Sequence, residues 1–436
     1  MKYINIVLLF IVSIPAFNQD LERRGIWGAT VTYCEEGKGL CVTNVEKNGS
    51  ADKANLQDGD VITEINSERV NDYITSANLL RSLKSGRKIN LLINRNGSTS
   101  KSIIILDPLP LDTYPGVDFE YGSIVSPQGY KLRTVISKPQ NSKGKLPTIF
   151  YIKWLACSAV EGRDVGFIRV VWELSKAGYL VYRIEVPGAG DSEGVCSGLD
   201  FKSEVELYKA AFQTIKNIKD VDINNIFIYG VNSGGVLAPM IATNNDEIAI
   251  KGIIVNGTWV RTWFEHILDQ ERRVLEYLDV PREEISERMN RSAEFNAEYL
   301  IKGGNPSNII RANPHLTEEW NHPSFNHHFG DRPIEYFQQM NHQDIAGYWN
   351  KITVPTLVIY NEFDWMIAKK DHQLIYDIVE SNNPGMNKMV VVPRTDHVNY
   401  IYREGDKKAS FLTSSSEVNP QSWEVIINWA GKIVKH

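Results

Sequence analysis

The sequence predicts an α/β protein: a mostly parallel sheet with helices on both faces and a helical cap, preceded by a small β-rich domain. Three observations predict it. From residue 117 onward, short apolar strands alternate with helical stretches, the pattern of a sheet buried on both faces. Residues 25–106 read instead as short strands with one clear helix. Between the two, residues 107–116 carry Pro108, Pro110 and Pro115. Proline at that density disfavours helix and central strand, so the segment is expected to be a stiff connector.

The 436 residues are 42% hydrophobic and 23% charged. That balance excludes wholesale disorder and collagen-like or coiled-coil architectures. A net charge of −6 with no basic run gives no electrostatic footprint for nucleic acid. Residues 1–18 predict a secretory signal. Lys2 is followed by an apolar stretch, 4–17, broken only by Asn5, Ser13 and Pro15. It is too short for a comfortable membrane span, and cleavage is expected before Gln19. No later segment is apolar for long enough to span a bilayer, so the exported chain is expected not to be membrane-embedded. Export permits disulfides. Of the three pairings open to four cysteines, the expected one joins Cys34 to Cys41 across a glycine-containing turn. It also joins Cys157 to Cys196, in loops at one end of the sheet.

In the small domain, strands are expected at 26–33, 40–45, 61–65, 89–94 and 100–106, a helical turn at 50–55 and an amphipathic helix at 74–83. Asn96-Gly97 is a hairpin turn signal. The run Gly25-Ile26-Trp27-Gly28-Ala29, the strand from Leu40 to Val45, and Gly59-Asp60-Val61-Ile62 at its distance from Ala51 and Ala54 resemble a PDZ domain of the bacterial exported type. The resemblance implies a groove that takes a peptide C-terminus by strand addition. Gly25, Ile26, Trp27 and Gly28 would form the carboxylate loop, with Trp27 beside the pocket.

In the large domain, 117–436, strands are expected at 119–125, 130–137, 148–152, 180–185, 226–229, 252–255, 356–359 and 388–392. Helices are expected at 166–177, 201–215, 235–242, 369–378 and 421–433. Active sites in such sheets lie at the carboxyl ends of the strands, and those ends carry the chemistry. One strand runs into Gly230-Val231-Asn232-Ser233-Gly234-Gly235 and then a helix, the context of a nucleophile elbow. A later strand ends in Glu362-Phe363-Asp364, and the last in Asp396-His397. This order, with Gly188-x-Gly190-Asp191-Ser192-x-Gly194 upstream, resembles an exported α/β-hydrolase of the serine aminopeptidase-like type carrying an N-terminal PDZ domain. The resemblance implies a Ser/His/Asp mechanism on an ester, amide or peptide substrate, with no organic cofactor.

The elbow departs from the pattern. Its nucleophile sits at positive φ, so residues two away on each side must be small. Gly230 and Gly234 satisfy this around position 232, which is Asn232 and not serine. Two registers follow. In one, Asn232 points at His397, Ser233 gives only its backbone N–H, and acyl-enzyme chemistry is lost. In the other the turn shifts by one residue and Ser233 is the nucleophile. His397 is the expected base and Asp364 its orienting acid, with Glu362 and Asp396 as rivals. Oxyanion donors are expected from Trp154 or Leu155, and from Ser233 in the first register or Gly234 in the second. Residues 259–349 are too long for a loop and rich in aromatics, and are expected to cap the site. His322, His327 and His328 match no strong metal motif, and no metal is expected.

Overall fold

The computed structural model describes residues 21–34, 38–159, 161–162, 165–245, 247–321, 331–403, 405, 407–413 and 415–434. The expected secretory signal at 1–18 lies outside the described residues, as do His322, His327 and His328.

The small domain opens with β1 (Gly25–Ile26), β2 (Thr30–Tyr33) and β3 (Leu40–Thr43), then a one-turn helix α1 (Ser50–Lys53). Next come β4 (Val61–Ile65), β5 (Glu68–Arg69), helix α2 (Tyr73–Ser82), β6 (Lys88–Arg95) and β7 (Ser98–Ile105). The sheet order is β2-β3-β4-β6-β7, all antiparallel, with β5 on β4. Alternate residues Ile89, Leu91 and Ile93 of β6 are buried beside Leu40, Val42, Ile62 and Ile65, as a half-buried antiparallel sheet requires. Asn96 and Gly97 join β6 to β7 at φ of 51° and 82°, the left-handed pair a two-residue hairpin needs. The expected strand at 26–33 is split, because Gly28 at φ 61° turns the chain beneath Gly49.

The connector is tied down rather than free. Asp107–Pro108 forms β8 and pairs antiparallel with β1. Asp112 is buried and meets the Arg183 guanidinium at 2.7 Å. Its prolines still keep it out of any sheet interior.

The large domain is an eight-stranded sheet built from β9 (Val117–Val125), β10 (Lys131–Pro139), β11 (Leu146–Ile152), β12 (Leu180–Ile184), β13 (Val221–Val231), β14 (Ile250–Asn256), β15 (Thr356–Asn361) and β16 (Lys388–Val392). Their order is β16-β15-β14-β13-β11-β12-β10-β9, parallel except where β10 meets β12 and β9. Period-two alternation feeds both faces. Ile149 and Tyr151 pack with Phe167 of α3 (Gly166–Lys176) and Trp429 of α14 (Gln421–Val434). Phe150 and Ile152 face the other way, toward α4 (Phe201–Gln213), α5 (Ser233–Thr243) and α12 (Lys369–Asn382). Between β14 and β15 lie α6 (Trp263–Tyr277), α7 (Arg282–Asn296), α8 (Pro306–Ala312), α9 (Thr317–Asn321), α10 (Ile334–Asn341) and α11 (Ile345–Trp349). A last short helix, α13 (Lys407–Leu412), precedes α14. Among the described residues no helix is long and apolar enough to cross a membrane.

The two domains share a buried charge cluster. Arg23, just before β1, meets Asp191 at 2.5 Å and Glu161 at 2.9 Å. Arg133 of β10 meets the same Asp191 at 2.8 Å. From α2, Asn78 donates to Ser197 at 2.7 Å, and Arg81 pairs with Asp331 of the cap region.

Candidate active site

β13 delivers Asn232 to the apex of a sharp turn, at φ 53° and ψ −123°, and Ser233 begins α5. Asparagine tolerates this left-handed region better than most residues. The turn is closed by absent side chains. A Cβ on Gly230 would lie 2.3 Å from Gly234 O, and one on Gly234 would lie 2.2 Å from Ile152 O. Small residues are therefore required at positions centred on 232, not on 233.

The Asn232 Nδ2 lies 3.0 Å from His397 Nε2. On the other side of the ring, His397 Nδ1 lies 2.8 Å from Asp364 Oδ2. The second Asp364 oxygen accepts the backbone N–H groups of Met366 and Ile367, each at 2.8 Å. Gly257, at φ 58°, leaves room for the pair, since a Cβ there would touch the His397 ring at 3.0 Å. Burial opposes the charged form of His397, but the Asp364 carboxylate outweighs it and holds the imidazole pKa above its ordinary 6.5. Burial likewise pushes Asp364 up, and the His397 charge and the Ile367 amide bring it below the ordinary carboxylate value.

The rival acids serve elsewhere. Asp396 accepts the Val398 and Tyr400 amides at 3.0 and 2.8 Å, and burial raises its pKa to about 6. Glu362 accepts the Arg394 amide at 2.8 Å. Ser233 is 2% exposed, and the hydrogen bond to His397 is made by its neighbour Asn232. The register with Ser233 at the apex is thus not the one adopted. Gly234, its expected oxyanion donor, packs against the backbone of Ile152 and Lys153.

Trp154 and Leu155 flank a cavity of about 410 Å³ with Ala156, Phe167, Asn232, Met366, His397 and Tyr400. Trp154 stacks on Phe167 at 5.5 Å and donates to Ser158 Oγ. Leu155 O accepts from Arg332 at 2.9 Å, and Arg332 pairs with Glu204 at 2.6 Å. A disulfide joins Cys157 to Cys196 behind this loop, and a second joins Cys34 to Cys41. Lys153 is buried at the base of the loop, and burial brings its pKa down to about 8 despite Glu185 at 3.8 Å. Sequence reasoning gave no role to Arg23, Glu161 or Arg332, whose partners are far apart in the chain. Asp191 lay in plain view within the Gly188–Gly194 motif.

In the small domain, the Gly25 N–H is taken by Leu83 O at 2.9 Å, and the carbonyl groups of Trp27 and Gly28 accept from Ala51 and Glu46. Trp27 lies in the domain core at 9% exposure, not beside a pocket. An indole is large and apolar enough that burial wins. Among the described residues no group of three or more metal-ligating side chains gathers.

Residues 165–389 match the hydrolase family described as serine aminopeptidase S33, and residues 25–106 match the PDZ domain. The chain belongs to the serine aminopeptidase S33 family. This S33 hydrolase-family chain, with its PDZ module, is also 39% identical over 59 residues to "Serine protease Do-like HtrA" of Lactobacillus helveticus. That match covers 14% of this S33 chain and 14% of the length of that curated relative. Solved structures similar to it include a DcsB complex with its substrate analogue, at 14% identity and TM-score 0.47, covering 73% of this chain and 100% of that one. Another is the Pyrococcus furiosus esterase Pf2001, at 15% identity and TM-score 0.46, covering 75% and 95%. A third is hypothetical protein PA2218 of Pseudomonas aeruginosa, at 14% identity and TM-score 0.45, covering 75% and 95%.

Proposed function

We propose that this S33-family chain is an exported protein whose hydrolase domain, as synthesised, binds a small ester, amide or peptide carbonyl without forming a serine acyl-enzyme. The observation that carries this is Asn232 at the strained apex, hydrogen-bonded to His397. Acyl transfer needs an oxygen or sulfur nucleophile whose proton the imidazole can take. An amide offers none of comparable strength. The ligand carbonyl would sit between the Ser233 N–H and the Trp154–Leu155 loop, with its apolar part against Trp154, Phe167 and Tyr400. The PDZ module would hold a peptide C-terminus along β2. The apolar stretch at 4–17 and the two disulfides support export.

A hydrolytic reading through Ser233 draws support from the His397–Asp364 pair, a competent base and its orienting acid. Sterics weigh against it. Moving the apex to Ser233 would put Val231 where Gly230 stands, a place with no room even for a Cβ. A fluorophosphonate probe with mapping of the modified residue separates the readings. No adduct on Ser233 is expected, and a stoichiometric Ser233 adduct would overturn the proposal.

A further inference from the structure

The elbow conformation that holds Asn232 against His397 exposes its amide to another reaction. Tetrahedral geometry sets Cβ a third of a turn from N around the Cα–C bond. A ψ of −123° therefore all but eclipses Asn232 Cβ with the amide nitrogen of Ser233. That is the backbone arrangement of a five-membered cyclic imide made from an Asn side chain and the next nitrogen. In most folded chains this torsion must be distorted to reach it, because ψ near −120° with positive φ lies outside the allowed regions. Here Gly230, Gly234 and the strand–helix junction impose it.

Three further features serve the same reaction. The Ser233 N–H donates to no backbone or side-chain acceptor among the described residues. The leaving nitrogen, Asn232 Nδ2, already contacts His397 Nε2 at 3.0 Å, and Asp364 holds that ring and favours its protonated form. The imidazolium is thus placed as general acid toward an amide leaving group that otherwise departs slowly. Asn232 also lines the cavity of about 410 Å³, which gives water a route to the imide.

We infer that Asn232 is a site of self-catalysed deamidation, converting the elbow amide to a carboxylate. The Ser233 nitrogen bonds to Asn232 Cγ and loses its proton to water. The Cγ–Nδ2 bond breaks, and the nitrogen leaves as ammonia after taking the His397 Nε2 proton. Water then opens the imide at Cγ: hydroxide adds to that carbon, the Cγ–N bond breaks, and the Ser233 nitrogen takes the proton. The net change is one amide plus one water to one carboxylate plus ammonium, with no oxidant or other co-reactant. The product sets a second carboxylate on His397, opposite Asp364. A carboxylate is itself a covalent nucleophile toward electrophilic carbon, so conversion would give the elbow a reacting group that the amide denies it.

The inference rests on the same placement of Asn232 as the proposed function, but not on the bound carbonyl. Probe labelling reads Ser233, whereas this test reads the mass of residue 232, so the two fail separately. The full chain is incubated at neutral pH, and the peptide spanning residue 232 is followed by mass spectrometry. The mass rise of –NH2 replaced by –OH is expected at residue 232 in the native chain. It should be slower by roughly 10²-fold in His397→Gln, the low end of general acid catalysis. A similar slowing is expected in denaturant, where the imposed ψ is lost. Fragmentation of Asn232→Asp, made directly, supplies the reference. Asn96-Gly97, in its hairpin turn, is the internal clock. An amide intact at 232 after that site has converted would overturn the inference, as would equal rates in folded and denatured chains.

Discussion

Asn232 Nδ2 faces His397 Nε2 at 3.0 Å, the position from which a serine hydroxyl would give up its proton. The double variant Asn232→Ser, Ser233→Asn returns the run to Gly-x-Ser-x-Gly-Gly without changing composition. Its hydrolysis of small p-nitrophenyl esters should exceed that of the natural chain by at least about 10³-fold, given what a serine nucleophile contributes in such triads. Ser233→Ala alone should change nothing. A folded double variant as inert as the natural chain would argue against the elbow geometry.

The His397–Asp364 pair makes a pH prediction. Burial disfavours the imidazolium, and Asp364, with a smaller contribution from Asp396, lifts its pKa above 6.5. In Asp364→Asn the burial penalty is opposed by Asp396 alone, so the His397 resonance followed by NMR should titrate lower than in the natural chain. The stability that the raised pKa confers is fully present below 6.5 and lost as pH rises through the folded value. The difference in unfolding free energy between natural chain and variant should therefore narrow as pH rises above 6.5 and through the raised folded pKa.

Glu161 carries the opposite sign. Burial, with Asp191 and Glu185 close by, pushes its pKa from 4.5 to about 7 despite Arg23. Ionising it in the folded state therefore costs stability as pH climbs from 4.5 through about 7. Glu161→Gln keeps an acceptor for Arg23 and removes that cost. Its melting temperature should match the natural chain at about pH 4 and exceed it at about pH 8, by up to roughly 3 kcal/mol in unfolding free energy.

The two disulfides close loops with sequence separations of 7 and 39 residues. Loop entropy alone gives about 2.5 kcal/mol for Cys34–Cys41 and about 4 kcal/mol for Cys157–Cys196. Replacing each pair by alanine should rank in that order by denaturant unfolding of the affected domain.

Much of this arrangement could be read in the chain because it is local. Strand periodicity, the turn at Asn96-Gly97 and the acid and histidine at paired strand ends all depend on neighbours in sequence. Glycine spacing bears on the elbow register too, since Gly230 and Gly234 flank position 232 symmetrically, although the sequence left both registers open. What could not be read are the long-range pairs. Arg23 lies 168 residues from Asp191, and Arg332 lies 128 from Glu204. No spacing rule announces a charge whose partner arrives only with the tertiary fold. Trp27 was misplaced for a related reason. Its place between Gly25 and Gly28 is read from the sequence, while its burial depends on the core it shares with Ala51 and Leu56.

The anchoring of α2 has a mechanical consequence for any peptide lodged between it and β2. One side of that groove is a fixed jaw, because Asn78 and Arg81 clamp the helix to Ser197 and Asp331. The other is an edge strand whose only strand neighbour among the described residues is β3, and its Tyr33 reaches across to Asn71 and Tyr73 at the start of α2. A bulky guest would therefore displace β2 before α2, and would first have to part Tyr33 from Asn71 and Tyr73. Displacing α2 instead would press on Ser197, the neighbour of the Cys196 half-cystine. Guests that differ only in girth would then be sensed by one domain, whereas guests that lever the helix would be felt by both.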